Sequence, residues 1–151
     1  LYGAGMALLL VVNQTVAPIG NLFGGHDWTI SSTYGWNETG QAVEAARREH
    51  PDAFVATSFY TTAAQLGFAI GDSDVVALSP RHDQFDYWFD AEAHRGMDAI
   101  IVADPNYPID YAAGMFESVA PLTNMQVMSH ERVIYTPTIY LARGFNPPSG
   151  G

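Results

Sequence analysis

Neither cysteine nor lysine occurs in the 151-residue chain. Without cysteine there is no disulfide, no zinc–thiolate or iron–sulfur centre and no thiol nucleophile, and the redox compartment stays open. Without lysine there is no Schiff-base chemistry. Positive charge is scarce altogether: six arginines face sixteen Asp and Glu, for a formal charge of −10. Nucleic acid and anionic membrane surfaces are bound through basic patches, so neither is an expected partner. Charged residues of both signs make up only 15% of the chain, against about 25% in an average soluble domain. Several familiar signatures are missing too: GxxxxGK[ST], GxGxxG after a strand, GxSxG and HExxH. Gly3-Ala-Gly5 has no third glycine and no preceding strand, so it is not a dinucleotide loop.

What is present is apolar and aromatic, at 48% and 13% of residues, which excludes an acidic disordered chain. The length suits one domain, burying roughly 68–70% of its unfolded surface. The charge is unevenly spread, with no Asp, Glu, Lys or Arg before Asp27. Met6-Ala-Leu-Leu-Leu-Val-Val12 is wholly apolar but far short of the about 20 residues that cross a bilayer. A signal peptide would have a basic start and a small-residue cleavage site, and neither is evident. Three readings stay open: a core strand or helix, the trailing end of a transmembrane helix, or a truncated signal or linker. The opening Leu1 in place of Met points to a piece of a longer protein. Asn13, Gln14, Pro18, Gly20 and Gly24-Gly25 read as a linker to about residue 27. Residues 1–27 are therefore expected to be the end of a membrane-proximal hydrophobic segment plus linker, and 28–151 a single α/β domain. The first positive side chain after Val12 is Arg47, so a membrane helix ending there would place the domain on the non-cytoplasmic side.

From Tyr34 the pattern is regular. Ser32 or Thr33 can cap a helix running to His50-Pro51, with Glu38 and Glu44 toward its start and Arg47 and Arg48 in its last turn. A strand at 53–59, an Ala-rich helix at 61–70, strands at 75–78 and 98–103, and a short helix at 110–119 follow. The tail from Met125 to Phe145 alternates as an antiparallel hairpin or edge pair. This order predicts an α/β fold with three layers, a Rossmann-like, mostly parallel sheet and antiparallel C-terminal edge strands.

The densest polar stretch is Arg81–Asp90, closing at His94. His82, Asp86, Asp90 and His94 are spaced by four and would share a face if one helix carried them, which suits a hard or borderline metal. The favoured alternative is an irregular loop with a short helix, its acids solvated and Phe85 and Trp88 anchored in the core. A third is a loop facing sugar or lipid headgroups, where aromatic faces beside carboxylates suit hydroxyls and C–H faces. It follows a parallel strand, where α/β sheets place ligands. Asp104 and Tyr60, each after a strand, would line the same crevice, or serve as a turn-forming Asp and a half-buried Tyr. Gly35-Trp36 reads as a helix start packing on the sheet or as a recognition element. The sequons Asn13-Gln-Thr15 and Asn37-Glu-Thr39 carry almost no weight.

One series of features stands together. A hydrophobic end and Pro/Gly linker precede Asp27 and Tyr34-Gly35-Trp36-Asn-Glu38. A strand leads to Tyr60 and Ala63-Ala64-x-Leu66-x-Phe68, then Gln84-Phe85-Asp86-Tyr87-Trp88, then Gly96-x-Asp98-Ala99 entering a strand. The series resembles the C-terminal soluble region of bacterial membrane glycosyltransferases of the protein-mannosyltransferase and aminoarabinose-transferase type (glycosyltransferase family 39), over about residues 1–105. The resemblance implies a periplasmic region after the last transmembrane helix of an enzyme that moves sugar from a polyprenyl phosphate to a protein or lipid. The family's catalytic aspartate lies in an early loop of the membrane portion, so no residue here inherits a catalytic role. Matching positions are Gly35, Trp36, Glu38, Tyr60, Gln84, Asp86 and Trp88, for packing or acceptor contact. The expected substrate-binding set is Tyr60, Gln84, Asp86, Trp88 and Asp104, with no metal and no cofactor. Expected partners are the membrane portion of the same polypeptide and a glycan, lipid or protein acceptor. The rivals are a free-standing hydrolase-like or metal-dependent enzyme using His82, Asp86 and Asp104, and a module binding sugars or nucleotides.

Overall fold

The computed structural model describes residues 2–15, 34–129 and 132–148. Helix α1 (Tyr2–Thr15) comes first. Its side chains stand exposed, Tyr2 at 97% and Leu8 at 65%, and it joins none of the core clusters. That corrects the reading of Met6–Val12 as a core element. Asn13 and Gln14 continue the helix rather than open a linker, and the rest of the expected linker lies outside the described residues, as do Ser32 and Thr33. No helix among the described residues is long and apolar enough to cross a membrane.

The remaining elements run α2 (Trp36–Glu49), β1 (Phe54–Thr57), α3 (Tyr60–Ile70), β2 (Val76–Ala77), α4 (Gln84–Trp88), β3 (Ala99–Ala103), α5 (Asp110–Ala113), β4 (Phe116–Asn124), β5 (Val127–Ser129), β6 (Arg132–Tyr135) and β7 (Thr138–Phe145). The N-cap of α2 is Gly35, at φ 78°. Thr39 returns both its N–H and its hydroxyl to the Gly35 carbonyl, at 2.9 and 2.7 Å. Glycine is required there, because a Cβ would lie 2.3 Å from a methyl of Val127. Gly71 ends α3 in the left-handed region, the usual helix stop.

Five strands form one sheet in the order β2-β1-β3-β7-β4, and β5 and β6 pair separately. β1 is parallel to β2 and β3, while β7 is antiparallel to β3 and β4. Four of the five strands therefore run one way, giving a mixed α/β fold with a mostly parallel sheet. The expected antiparallel tail is present but differently built. β7 lies inside the sheet, and the edge is β4, whose first residues were expected to be helical. Only Asp110–Ala113 is helical there. An edge tolerates Pro121 because half of its ladder faces away from partners, and the register shifts after it.

Alternation along the strands sorts the core into two clusters. Val55, Ile100, Val102 and Ile139 face Val43 of α2 and Leu66 of α3. Ala56, Ile101, Ala142 and Phe145 face Ala112 and the half-buried Phe89 and Ala91. Each fully buried Val, Leu or Ile contributes about 1.5–3 kcal/mol of transfer free energy. β1 has β2 on one side and β3 on the other, so the strand order reverses around it, and ligand sites in α/β sheets favour the carboxyl ends at such a point.

Candidate functional site

Two clusters of expected site residues lie at the carboxyl ends of these strands, and they are built differently. Asp104, just past β3, is 5% exposed. Its Oδ1 accepts the Asn106 N–H at 2.7 Å, the Asx turn that an Asp before proline favours. Its own N–H donates to the Ser58 hydroxyl at 3.2 Å, and that hydroxyl donates to the Tyr107 carbonyl at 2.5 Å. The Phe59 ring stacks on Tyr107 with centroids 3.5 Å apart. The crevice end of β1 and β3 is thus stitched shut by the chain itself. Tyr60 opens α3 beside it, half-buried, with the Arg81 guanidinium 5.7 Å from its ring centre.

The second cluster surrounds α4. The Asp83 carboxylate accepts the Phe85 N–H at 2.9 Å, and Asp86 Oδ2 accepts the Asp83 N–H at 2.7 Å. This reciprocal pair is a capping box and explains a helix of only five residues. The four-residue spacing of His82, Asp86, Asp90 and His94 therefore never forms a common helical face. His82, with its side chain 93% exposed, reaches only 3.5 Å from Asp86. His94 Nδ1 lies 2.8 Å from the Asp90 carbonyl, and its ring sits 5.1 and 4.7 Å from Phe54 and Phe89. Among the described residues no three His, Asp or Glu side chains gather where they could hold a metal ion.

The aromatics also redistribute. Phe85 is half-buried, as expected, but Trp88 is 69% exposed, so it is no core anchor. Phe89 packs inward in its place, against Phe54 and Phe145 at 5.7 and 5.8 Å. Trp88 and Phe85 border two shallow clefts along the β2 edge, of about 430 and 290 Å³. Gln84 is exposed and lines none of the clefts described here.

A cleft of about 400 Å³ opens on the other side of α4. Leu78, Phe89, Met115 and Phe145 provide apolar walls, with Ser79, His82, Asp86 and Tyr111 among them. Of the expected set only Asp86 reaches it. Tyr60 and Asp104 share the strand ends with each other but do not line this cleft, which separates Asp104 from His82 and Asp86. Tyr111 had no distinguishing signal in the sequence beyond an aromatic in a short helix. Leu78, Tyr111 and Phe145 are far apart along the chain and meet only through the sheet.

Glu92, outside the clefts, carries a displaced titration. Arg95 donates to both of its oxygens, at 2.9 and 2.7 Å, and holds the carboxyl below the ordinary glutamate range while raising its own guanidinium. None of the family models, curated proteins or solved structures compared with the chain matches it.

Proposed function

We propose that the chain is an accessory, extracytoplasmic domain of a membrane glycosyltransferase using a polyprenyl-phosphate sugar, on the inner membrane's periplasmic side. In this reading it performs no chemistry alone, and it orients a glycan, lipid or protein acceptor or steadies the membrane portion of the same polypeptide. Its architecture would be the three-layer, Rossmann-like one, with α2 and α3 on one face and the Phe89–Ala91 and α5 segments on the other.

The observation that carries the reading is α1. A charge-free helix with its apolar side chains standing in water has large apolar surface to bury elsewhere. It precedes a strongly acidic domain, in the order the residue series resembles. Two further points support a non-catalytic role. Asp86 is engaged as a helix cap and Asp104 as a turn former, and the cleft that His82 and Asp86 line does not include Asp104.

The test is deletion of residues 34–151 from the full-length enzyme, with sugar transfer assayed in membranes. Transfer should fall, or its acceptor choice should change. Unchanged rate and unchanged acceptor choice would remove any functional role for the domain.

A further inference from the structure

We infer that the 400 Å³ cleft between α4, α5 and the end of β7 binds an uncharged, hydroxylated ring, a single saccharide unit, and rejects its phosphorylated form. The inference deepens the reading above by naming what the domain holds. The volume falls within the roughly 300–1,000 Å³ of small-molecule sites. The cleft opens at the carboxyl end of β2, through Ala77, Leu78 and Ser79, the end of a parallel strand that favours ligands.

Its wall chemistry selects the ligand class. Leu78 and Phe145 are buried at 5% and 1% exposure and give a fixed apolar floor. Tyr111 is 45% exposed and projects from α5 with a ring face and a hydroxyl available. Asp86 uses Oδ2 for the cap, which leaves Oδ1 to accept a hydroxyl. Ser79 donates to the Arg81 carbonyl at 3.0 Å, so its oxygen is left as an acceptor. A purely apolar guest would bury these groups without partners, at about 1–3 kcal/mol each. A sugar ring offers apolar C–H faces to Phe89 and Tyr111 and hydroxyl donors to Asp86 and Ser79.

Charge excludes the phosphorylated alternatives. Among the described residues no arginine lines the cleft, and the chain has no lysine. The adjacent Arg81 is directed over the Tyr60 ring instead. A phosphate would face the Asp86 carboxylate, and His82 on the cleft wall already lies 3.5 Å from that carboxylate, in a chain of net charge −10.

The experiment is an amide-resolved NMR titration of the 151-residue chain with methyl α-mannopyranoside and methyl β-glucopyranoside, with glucose 6-phosphate and choline as controls. Saturable shifts are expected at Leu78, Ser79, Tyr111 and Phe145 with a glycoside, with a dissociation constant on the order of 1 mM. Glucose 6-phosphate and choline should bind at least about tenfold more weakly, and Tyr111→Ala should weaken the glycoside by a similar factor. Tyr111→Phe, which keeps the ring, should fall between. No saturable glycoside shift up to about 50 mM, tighter binding of either control, or shifts confined to other surfaces would overturn the inference. If the glycosides fail while the deletion above still impairs transfer, this inference falls and the functional reading stands. If the glycosides bind and the deletion changes nothing, the saccharide site stands and the glycosyltransferase role falls.

Discussion

Changing Gly35 to Ala tests whether the glycine-tryptophan pair serves packing, because the structure attaches two separable costs to that one methyl. Gly35 sits at φ 78°, where a Cβ costs about 1–2 kcal/mol through its own backbone. The same Cβ would lie 2.3 and 2.4 Å from the two γ-methyls of Val127 and 2.9 Å from its Cβ. Overpacking of that kind costs about 1–3 kcal/mol, so the single change should destabilise by about 2–5 kcal/mol. Val127→Ala removes two methyls from a residue 6% exposed, a loss of about 1.6 kcal/mol. Independent effects would sum to about 4–7 kcal/mol in the double variant. Because Val127→Ala also removes the two γ-methyls, the nearer of the clashing atoms, and leaves only the Cβ at 2.9 Å, the double variant should instead be milder than that sum by about 1–3 kcal/mol. Urea unfolding of the four proteins at one salt concentration, extrapolated to water, measures the difference. Additivity within about 0.5 kcal/mol would refute the contact between the α2 cap and the β5–β6 hairpin.

Three further outcomes are expected. Leu66, fully buried between α3 and the sheet, should lose about 2–5 kcal/mol as Leu66→Ala, seen calorimetrically as a Tm lower by about 2–4 °C per kcal/mol. With sixteen acids against six arginines, raising NaCl from about 0.1 to 1 M shortens the screening length from about 10 to 3 Å. Tm should rise, and a fall would contradict self-repulsion as a destabilising element. In an NMR pH titration the Glu92 carboxyl should protonate below the ordinary glutamate range and return to it in Arg95→Ala. A lowered carboxyl pKa means its stabilising effect is present above the unfolded value and disappears as pH falls through the folded one. The pair lies at the surface, so the global acid transition should scarcely move.

The part of the fold legible in the sequence is the part governed by uninterrupted apolar runs. The expected strands at 53–59, 75–78 and 98–103 contain the shorter β1, β2 and β3, whose residues are almost all buried, so burial there leaves no polar alternation to misread. Gly71 marks a helix end through its backbone alone. β4 was hidden because an edge strand is mostly exposed, and Phe116–Asn124 buries none of its residues fully. Its polar residues and Pro121 carry no strand signal, and the helical Asp110–Ala113 in front of it invites an extension of the helix. Around α4 the difficulty was local geometry. The four-residue spacing of His82 to His94 looks helical in sequence, yet the Asp83–Asp86 capping box starts the helix too late for His82 to share it, and Phe89 leaves it. Trp88 and Phe89 are adjacent, so which one points inward depends on where that short helix stops. Of the expected site residues Asp86 reaches a cleft with a polar rim. Tyr111 and Phe145, which complete it, are contributed by elements whose pairing no local pattern reveals.

In the proposed function the domain handles the acceptor while the sugar-transfer chemistry occurs elsewhere. It is tested most directly by measuring two reactions of the full-length enzyme in membranes, before and after Tyr111→Ala: transfer to the acceptor, and hydrolysis of the polyprenyl-phosphate sugar by water. The expected result is a raised acceptor KM in the transfer reaction with donor hydrolysis unchanged. Equal loss of both reactions, with acceptor KM unmoved, would place the domain in the chemistry itself and contradict the claim.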